Sequence, residues 1–442
     1  MFEDMAFALI WLALPFLWYY LLKVAGLSLS RLSIPSWVMV VFYGLQYIGL
    51  PILYFQLNES RAASVNNQWI MYRVFFYTAI TMTLMTFGFI AGRRFFGSLK
   101  WVGIAEIRKS SKKQMFGLLV LFGICSAVLL LYISKVGFER IALLTVFGLG
   151  EDVSVMAARS GMGNAFKDYH RYSFFMHDLL LFCVVAFFVH CLLIPHFRNR
   201  LFFGFVFLVA TFSMIMATAK IPMANLLIAL FMAYVLTRKE GLVPIKGSLY
   251  IGVILMAVLT LFNMYFRGIQ SPVQAFLGVP GRVLTGQIQP AYHYLEFFPY
   301  HHDFLYGLSF PNPGGILPFD NFALQKEMMA WNNPSLDEIG VVGSMPTVYW
   351  GEMYANFGFI GVLLPPFFVG FVLYWLNSLI FKLSPDPLVT ALFVWFMIHY
   401  QKLAMTSLGG FLFDVKALGV LFFFFTIVFI SGSRIVKLKR NF

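Results

Sequence analysis

Charge is scarce in this sequence, and cysteine scarcer still. Only 12% of the 442 residues are Asp, Glu, Lys or Arg, against about 25% in an ordinary soluble domain. Such a chain cannot cover a water-exposed surface, which excludes a soluble globular protein. The three cysteines, Cys125, Cys183 and Cys191, all fall in apolar runs. They provide neither a disulfide framework nor the spacing of a metal site. There is no low-complexity tract, no convincing internal repeat and no glycine-rich phosphate loop. The missing repeat weighs against a transporter, since many transporters are assembled from inverted halves.

What the chain has in abundance is apolar length. Hydrophobic residues make up 60% of it, with 53 Phe. Runs of about 20 apolar residues read as spanning helices, because only a helix or a closed barrel satisfies its own backbone inside a bilayer. Eleven are expected: 5–22, 37–57, 74–92, 115–134, 172–194, 201–218, 222–236, 248–266, 358–381, 388–401 and 417–430. The run at 388–401 is short and ends in polar His399, Gln401 and Lys402. The first run lacks a basic flank and a small-residue cleavage site, so it reads as a retained span rather than a signal peptide. The expected fold is all-α, one polytopic transmembrane domain over residues 1–442.

The few charges orient this assembly. Alternate loops collect the bases, seven of them within residues 93–113 (Arg93, Arg94, Lys100, Arg108, Lys109, Lys112, Lys113) and four in the tail (Arg434, Lys437, Lys439, Arg440). Lys23, Arg31, Arg198, Arg200, Arg238, Lys239, Lys246 and Lys382 complete the set, against only Glu106, Glu240 and Asp386 as acids. Basic loops stay in the cytoplasm, which puts the C-terminus inside and the acidic start, Glu3 and Asp4, outside. The net charge of +13 follows from this asymmetry and needs no nucleic-acid partner.

Two outer loops are long enough to fold, 135–171 and 267–345. Residues 271–299 suit amphipathic helix, whereas 311–320, with Pro311, Pro313, Gly314 and Gly315, is turn-rich. Interleaved aromatics from Tyr292 to Phe310 argue that the second loop is ordered at the membrane interface. Cations stand near helix ends on this face: Arg159, Arg171, Lys220, Arg267 and Arg282. Guanidinium forks bind phosphate and diphosphate bidentately, although any one of them can also simply snorkel to lipid head groups. Lys220 sits in a tight apolar hairpin, where a charge is costly without a partner or a task.

Acids, bases and sugar-binding groups are also at hand outside. Glu352, Tyr354 and Asn356 alternate with apolar residues just before a span, and Gly358 and Gly361 would allow close helix contact there. Glu352 is a candidate general base or sugar ligand. His170, His293, His301 and His302 are the alternative bases. Within the fifth span His177 and Asp178 are candidates for a buried polar pair.

These features resemble the bacterial oligosaccharide repeat-unit polymerases, the O-antigen polymerases. The likeness rests on Met156-Ala157-Ala158-Arg159 before a long span, the hairpin Ala217-Thr218-Ala219-Lys220-Ile221-Pro222, and Arg282 near the start of a large loop. That loop leads into Glu352-Met353-Tyr354-Ala355-Asn356-Phe357-Gly358-Phe359-Ile360-Gly361. Arg267 and Gly278 match the family's arginine-to-glycine spacing.

The resemblance implies a GT-C-like glycosyltransferase of the inner membrane. It would join polyprenyl-diphosphate-linked repeat units at the periplasmic face, without metal or other cofactor, among membrane lipids and beside a chain-length regulator. Arg159, Lys220, Arg267 and Arg282 would bind the lipid diphosphate, Tyr354 and Asn356 the sugar, and Glu352 or His293 would take the acceptor proton. A charge pair near a protein surface is worth about 4 kcal/mol at 4 Å, and each ~1.4 kcal/mol gives tenfold in rate, so a pair of arginines is an adequate catalyst for a departing diphosphate. The alternatives are an O-antigen ligase and a transporter of lipid-linked glycan.

Overall fold

A computed structural model describes residues 2–58, 63–97, 107–151, 153, 155–163, 166, 168–267, 269–334 and 343–432. Among the described residues every regular element is helical and there is no strand. Ten helices among the described residues are long and apolar enough to cross a membrane: Glu3–Val24, Ile34–Tyr54, Gln68–Phe96, Lys112–Val136, Tyr169–Leu193, Phe197–Ile215, Lys220–Arg238, Ile245–Tyr265, Tyr349–Lys382 and Gly409–Ser431. The chain is therefore a multi-pass membrane protein.

The remaining expected run is shorter than these ten. The run at 388–401 forms the helix Pro387–Tyr400, 14 residues long. At 1.5 Å per residue it spans about 21 Å, short of the ~30 Å hydrocarbon core. Its residues from Leu388 to Ile398 are all buried. Its apolarity therefore serves protein packing on every side and makes no lipid-facing surface.

The chain divides into two compact units. One comprises Met1–Leu99, Pro280–Ser378 and His399–Asp414; the other comprises Lys100–Val279, Leu379–Ile398 and Val415–Phe442. In the first unit, aromatic stacking ties the N-terminal spans together. Phe7 lies over Tyr54 with ring centroids 3.9 Å apart, and Trp18 Nε1 donates to Thr83 Oγ1 at 3.0 Å. The helix Gln68–Phe96 starts six residues before the apolar run itself, because Asn67 caps it through the amides of Trp69 and Ile70. That extra turn carries Arg73 into the helix.

Tyr349–Lys382 likewise begins earlier than its apolar run, and Gly358 bends it with φ 61° and ψ −142°. An L side chain rarely adopts this conformation, and a Cβ there would lie 3.1 Å from the Phe304 ring. Gly361, expected to assist packing on a neighbouring helix, meets the carbonyl of Met353 in its own helix instead, so it serves the bend. Between these spans lie Pro272–Thr285, Gln289–Phe297 and Leu324–Asn332, with a turn-rich stretch at 311–320.

In the second unit, Ala142–Val146 and Val155–Met162 form short helices over their own core. Tyr132, Ile141, Ala142, Ala158, Met162 and Met216 are buried together, and Leu143 N–H donates to Met216 O at 3.0 Å. In the π-helical turn Phe174–Leu179, Asp178 Oδ2 lies 3.1 Å from Lys416 Nζ. An ion pair across helices thus answers the charge that the sequence places inside the fifth span.

Candidate functional site

The first turn of Tyr349–Lys382 holds Glu352, where a carboxylate complements the positive end of the helix. Its side chain is only 3% exposed. Burying a carboxylate is costly unless donors replace water, and the protein supplies them. Ser309 Oγ donates to Oε1 at 3.1 Å, and Gly409 N–H donates to Oε2 at 2.8 Å.

Asn356, one turn on, builds the wall of the same site. Its Nδ2 donates to Ser309 Oγ at 2.8 Å and to Glu352 O at 2.9 Å. Its Oδ1 accepts from Gly307 N–H at 2.8 Å. Backbone bonds from Leu305 N–H to Ala355 O and from Tyr306 N–H to Asn356 O, both 3.0 Å, lay residues 305–309 along the helix start. The loop thereby delivers Ser309 to the carboxylate.

Tyr354 faces another group. Arg73 donates to its hydroxyl and, at 3.4 Å, to Tyr77 OH, and the guanidinium stands 5.3 Å and 5.7 Å from the two rings. The Tyr354 hydroxyl donates to Phe298 O at 3.3 Å. Asn356 and Tyr354, expected to bind sugar, are both buried and engaged with the protein.

Sequence reasoning passed over two parts of this unit. One is Arg73, which fell at the edge of an expected span; a lone arginine six residues past the capping Asn67 was the available signal. The other is the pair His399 and Asp414. His399 Nε2 lies 3.0 Å and 2.9 Å from the two Asp414 oxygens, and His399 is buried. Together they fasten both ends of the segment that carries Gly409. The polar end of an otherwise apolar helix, and an aspartate just before a span, hinted at it.

His293 belongs to a separate set of contacts. It is buried at 2% exposure, with Ser64 and Glu296 at its two ring nitrogens. Burial pushes its pKa below the usual histidine value, against the pull of Glu296. Glu352 and His293, the two candidate bases, thus stand in different hydrogen-bond networks. Arg282 is exposed on Pro272–Thr285.

The remaining expected cations lie in the second unit. Lys220 opens the helix Lys220–Arg238 and donates to Asn263 Oδ1. Asn263 in turn donates to Ala275 O at 2.9 Å, so the hairpin charge has a partner on the next helix, Ile245–Arg267. Arg159 is exposed near the end of Val155–Met162. Arg267 is the last residue of Ile245–Arg267. Among the described residues no three His, Cys, Asp or Glu side chains are placed to hold a metal ion.

No family model, curated protein or solved structure matches this chain.

Proposed function

We propose that this protein is an oligosaccharide repeat-unit polymerase. It transfers a growing glycan from its polyprenyl diphosphate to the terminal sugar of a second lipid-linked repeat unit, at the outer face of a bacterial inner membrane. The observation that carries the reading is Glu352, a buried carboxylate held at the start of a spanning helix by the Ser309 hydroxyl and by backbone amide donors. Ser309 Oγ donates to Oε1 at 3.1 Å, the geometry in which a sugar hydroxyl approaches a base.

In the reaction, the acceptor oxygen attacks the anomeric carbon, the bond to the diphosphate breaks, and Glu352 takes the acceptor proton. The departing diphosphate needs fixed positive charge, for which Arg73 and Arg282 are candidates in the unit that holds Glu352, alongside Arg159, Lys220 and Arg267. A GT-C-like arrangement of the spans, the periplasmic position of the N-terminus and a chain-length partner belong to the same proposal. Deleting the gene and resolving the cell's surface glycan on a gel tests it. A band of single repeat units is expected. Unligated long polymer would assign the protein as a ligase, and loss of all external glycan as a transporter.

A further inference from the structure

Away from the Glu352 network, three side chains stand in the relation of a nucleophile, its base and an orienting acid. Ser64 Oγ lies 3.3 Å from His293 Nε2, and His293 Nδ1 lies 3.3 Å from Glu296 Oε2. Gln289 Nε2 donates to the same Ser64 Oγ at 3.0 Å. One tautomer satisfies all three contacts: Nδ1–H donates to the glutamate, and Nε2 accepts the serine hydroxyl. The two 3.3 Å contacts are slightly long, as such bonds are before a substrate closes the site.

Local sequence explains why these groups meet. His293 and Glu296 are three residues apart on the helix Gln289–Phe297, and so share a face. Tyr292 on the same helix accepts from Asn67 N–H at 2.9 Å, which ties down the segment carrying Ser64. The imidazole is buried while Ser64 is exposed, so a substrate reaches the hydroxyl without reaching the base. Burial also favours neutral imidazole, the form that accepts a proton. The Gln289 amide, already at Ser64 Oγ, is a candidate donor to a developing oxyanion.

We propose that Ser64 is an activated nucleophile, with His293 as its base and Glu296 as the group that orients the base. The substrate class is a carboxylic ester borne on a sugar hydroxyl. The rings of Trp331 and His301, packed 5.4 Å apart beside His293, offer an aromatic face of the kind on which a sugar rests. Ser64 Oγ bonds to the ester carbon as its proton passes to His293 Nε2. The C–O bond to the sugar then breaks, and His293 returns the proton to the departing sugar oxygen. Water attacks the acyl-serine with His293 again taking the proton, which releases the carboxylic acid and restores Ser64. The sum is ester plus water to acid plus alcohol.

Purified full-length protein in detergent, treated with a fluorophosphonate probe, tests this. Peptide mass spectrometry should find the adduct on Ser64, formed as the hydroxyl displaces fluoride. Ser64→Ala should abolish it, and His293→Gln should slow it by about 100-fold or more. Glu296→Gln should slow it in the same direction. Since His293 is buried, its variant is read only beside Ser64→Ala and Glu296→Gln, which alter more exposed groups. Hydrolysis of p-nitrophenyl acetate should follow the same order. Labelling no faster than in heat-denatured protein, or ester hydrolysis equal in wild type and Ser64→Ala, overturns the proposal. The assay contains no lipid-linked glycan, so its outcome and that of the polymerase reading are independent.

Discussion

The amide of Gly409 donates to Glu352 Oε2 at 2.8 Å across 57 positions of sequence. The contact exists because position 409 has no side chain: a Cβ there would lie 3.0 Å from Glu352 Oε1 and 3.2 Å from Pro311 Cδ. Residues 399–414 are thus shaped around the carboxylate, with His399 and Asp414 clamping the ends.

Glu352→Gln keeps the volume of this group and removes its basicity. With purified protein and synthetic lipid-linked repeat units, substrate should still bind while turnover falls by about 100-fold or more. Gly409→Ala should lower turnover too, by displacing the carboxylate. Near-normal turnover in the glutamine variant would rule Glu352 out as the base.

Among the cations, Arg159 and Arg282 separate charge from shape. Lysine retains the charge but loses the bidentate fork, so Arg-to-Lys should keep part of the activity and Arg-to-Ala none. Full activity in both alanine variants at normal expression refutes the role. Lys220→Met should reduce polymer yield and, by stranding buried Asn263, cost about 1–3 kcal/mol of stability. An unchanged polymer ladder with a lowered melting temperature would make Lys220 purely structural.

Acid should weaken the fold through His293. Its folded-state pKa is lowered by burial, so the unfolded chain binds the proton more readily. The resulting stability is present above the ordinary histidine pKa of about 6.5 and is lost as pH falls through the lower folded value. Melting temperatures recorded downward from pH 7 should therefore drop, and less steeply in His293→Gln. Parallel curves for the two proteins would contradict this.

The distribution of bases predicts which face is which. In a cysteine-free background, Tyr300→Cys, at a position 71% exposed, should react with a membrane-impermeant thiol reagent in intact cells. Lys109→Cys should react only after the membrane is opened. Protection of position 300 in intact cells would remove the outer-face argument for Glu352.

The membrane class and nearly all the spans were legible in the sequence, because bilayer thickness imposes a length on apolar runs and the backbone leaves no option but helix. The run at 388–401 shows what hydropathy leaves open: it is buried in protein, and apolarity alone cannot tell a neighbour made of lipid from one made of protein. The helices that begin at Gln68 and Tyr349 contain their apolar runs and extend beyond them, since capping and polar first turns lengthen a helix past its apolar stretch. Glu352, His293 and Lys220 could be singled out one by one, as polar groups in costly places. Their partners could not. Ser309, Gly409, Ser64 and Asn263 are small or neutral residues with no signal of their own, lying 43, 57, 229 and 43 positions from the groups they contact. Sequence alone determined that charges buried in this protein must be answered, through the cost of desolvation; only the tertiary structure, by closing loops of that length, decided which residues answer them.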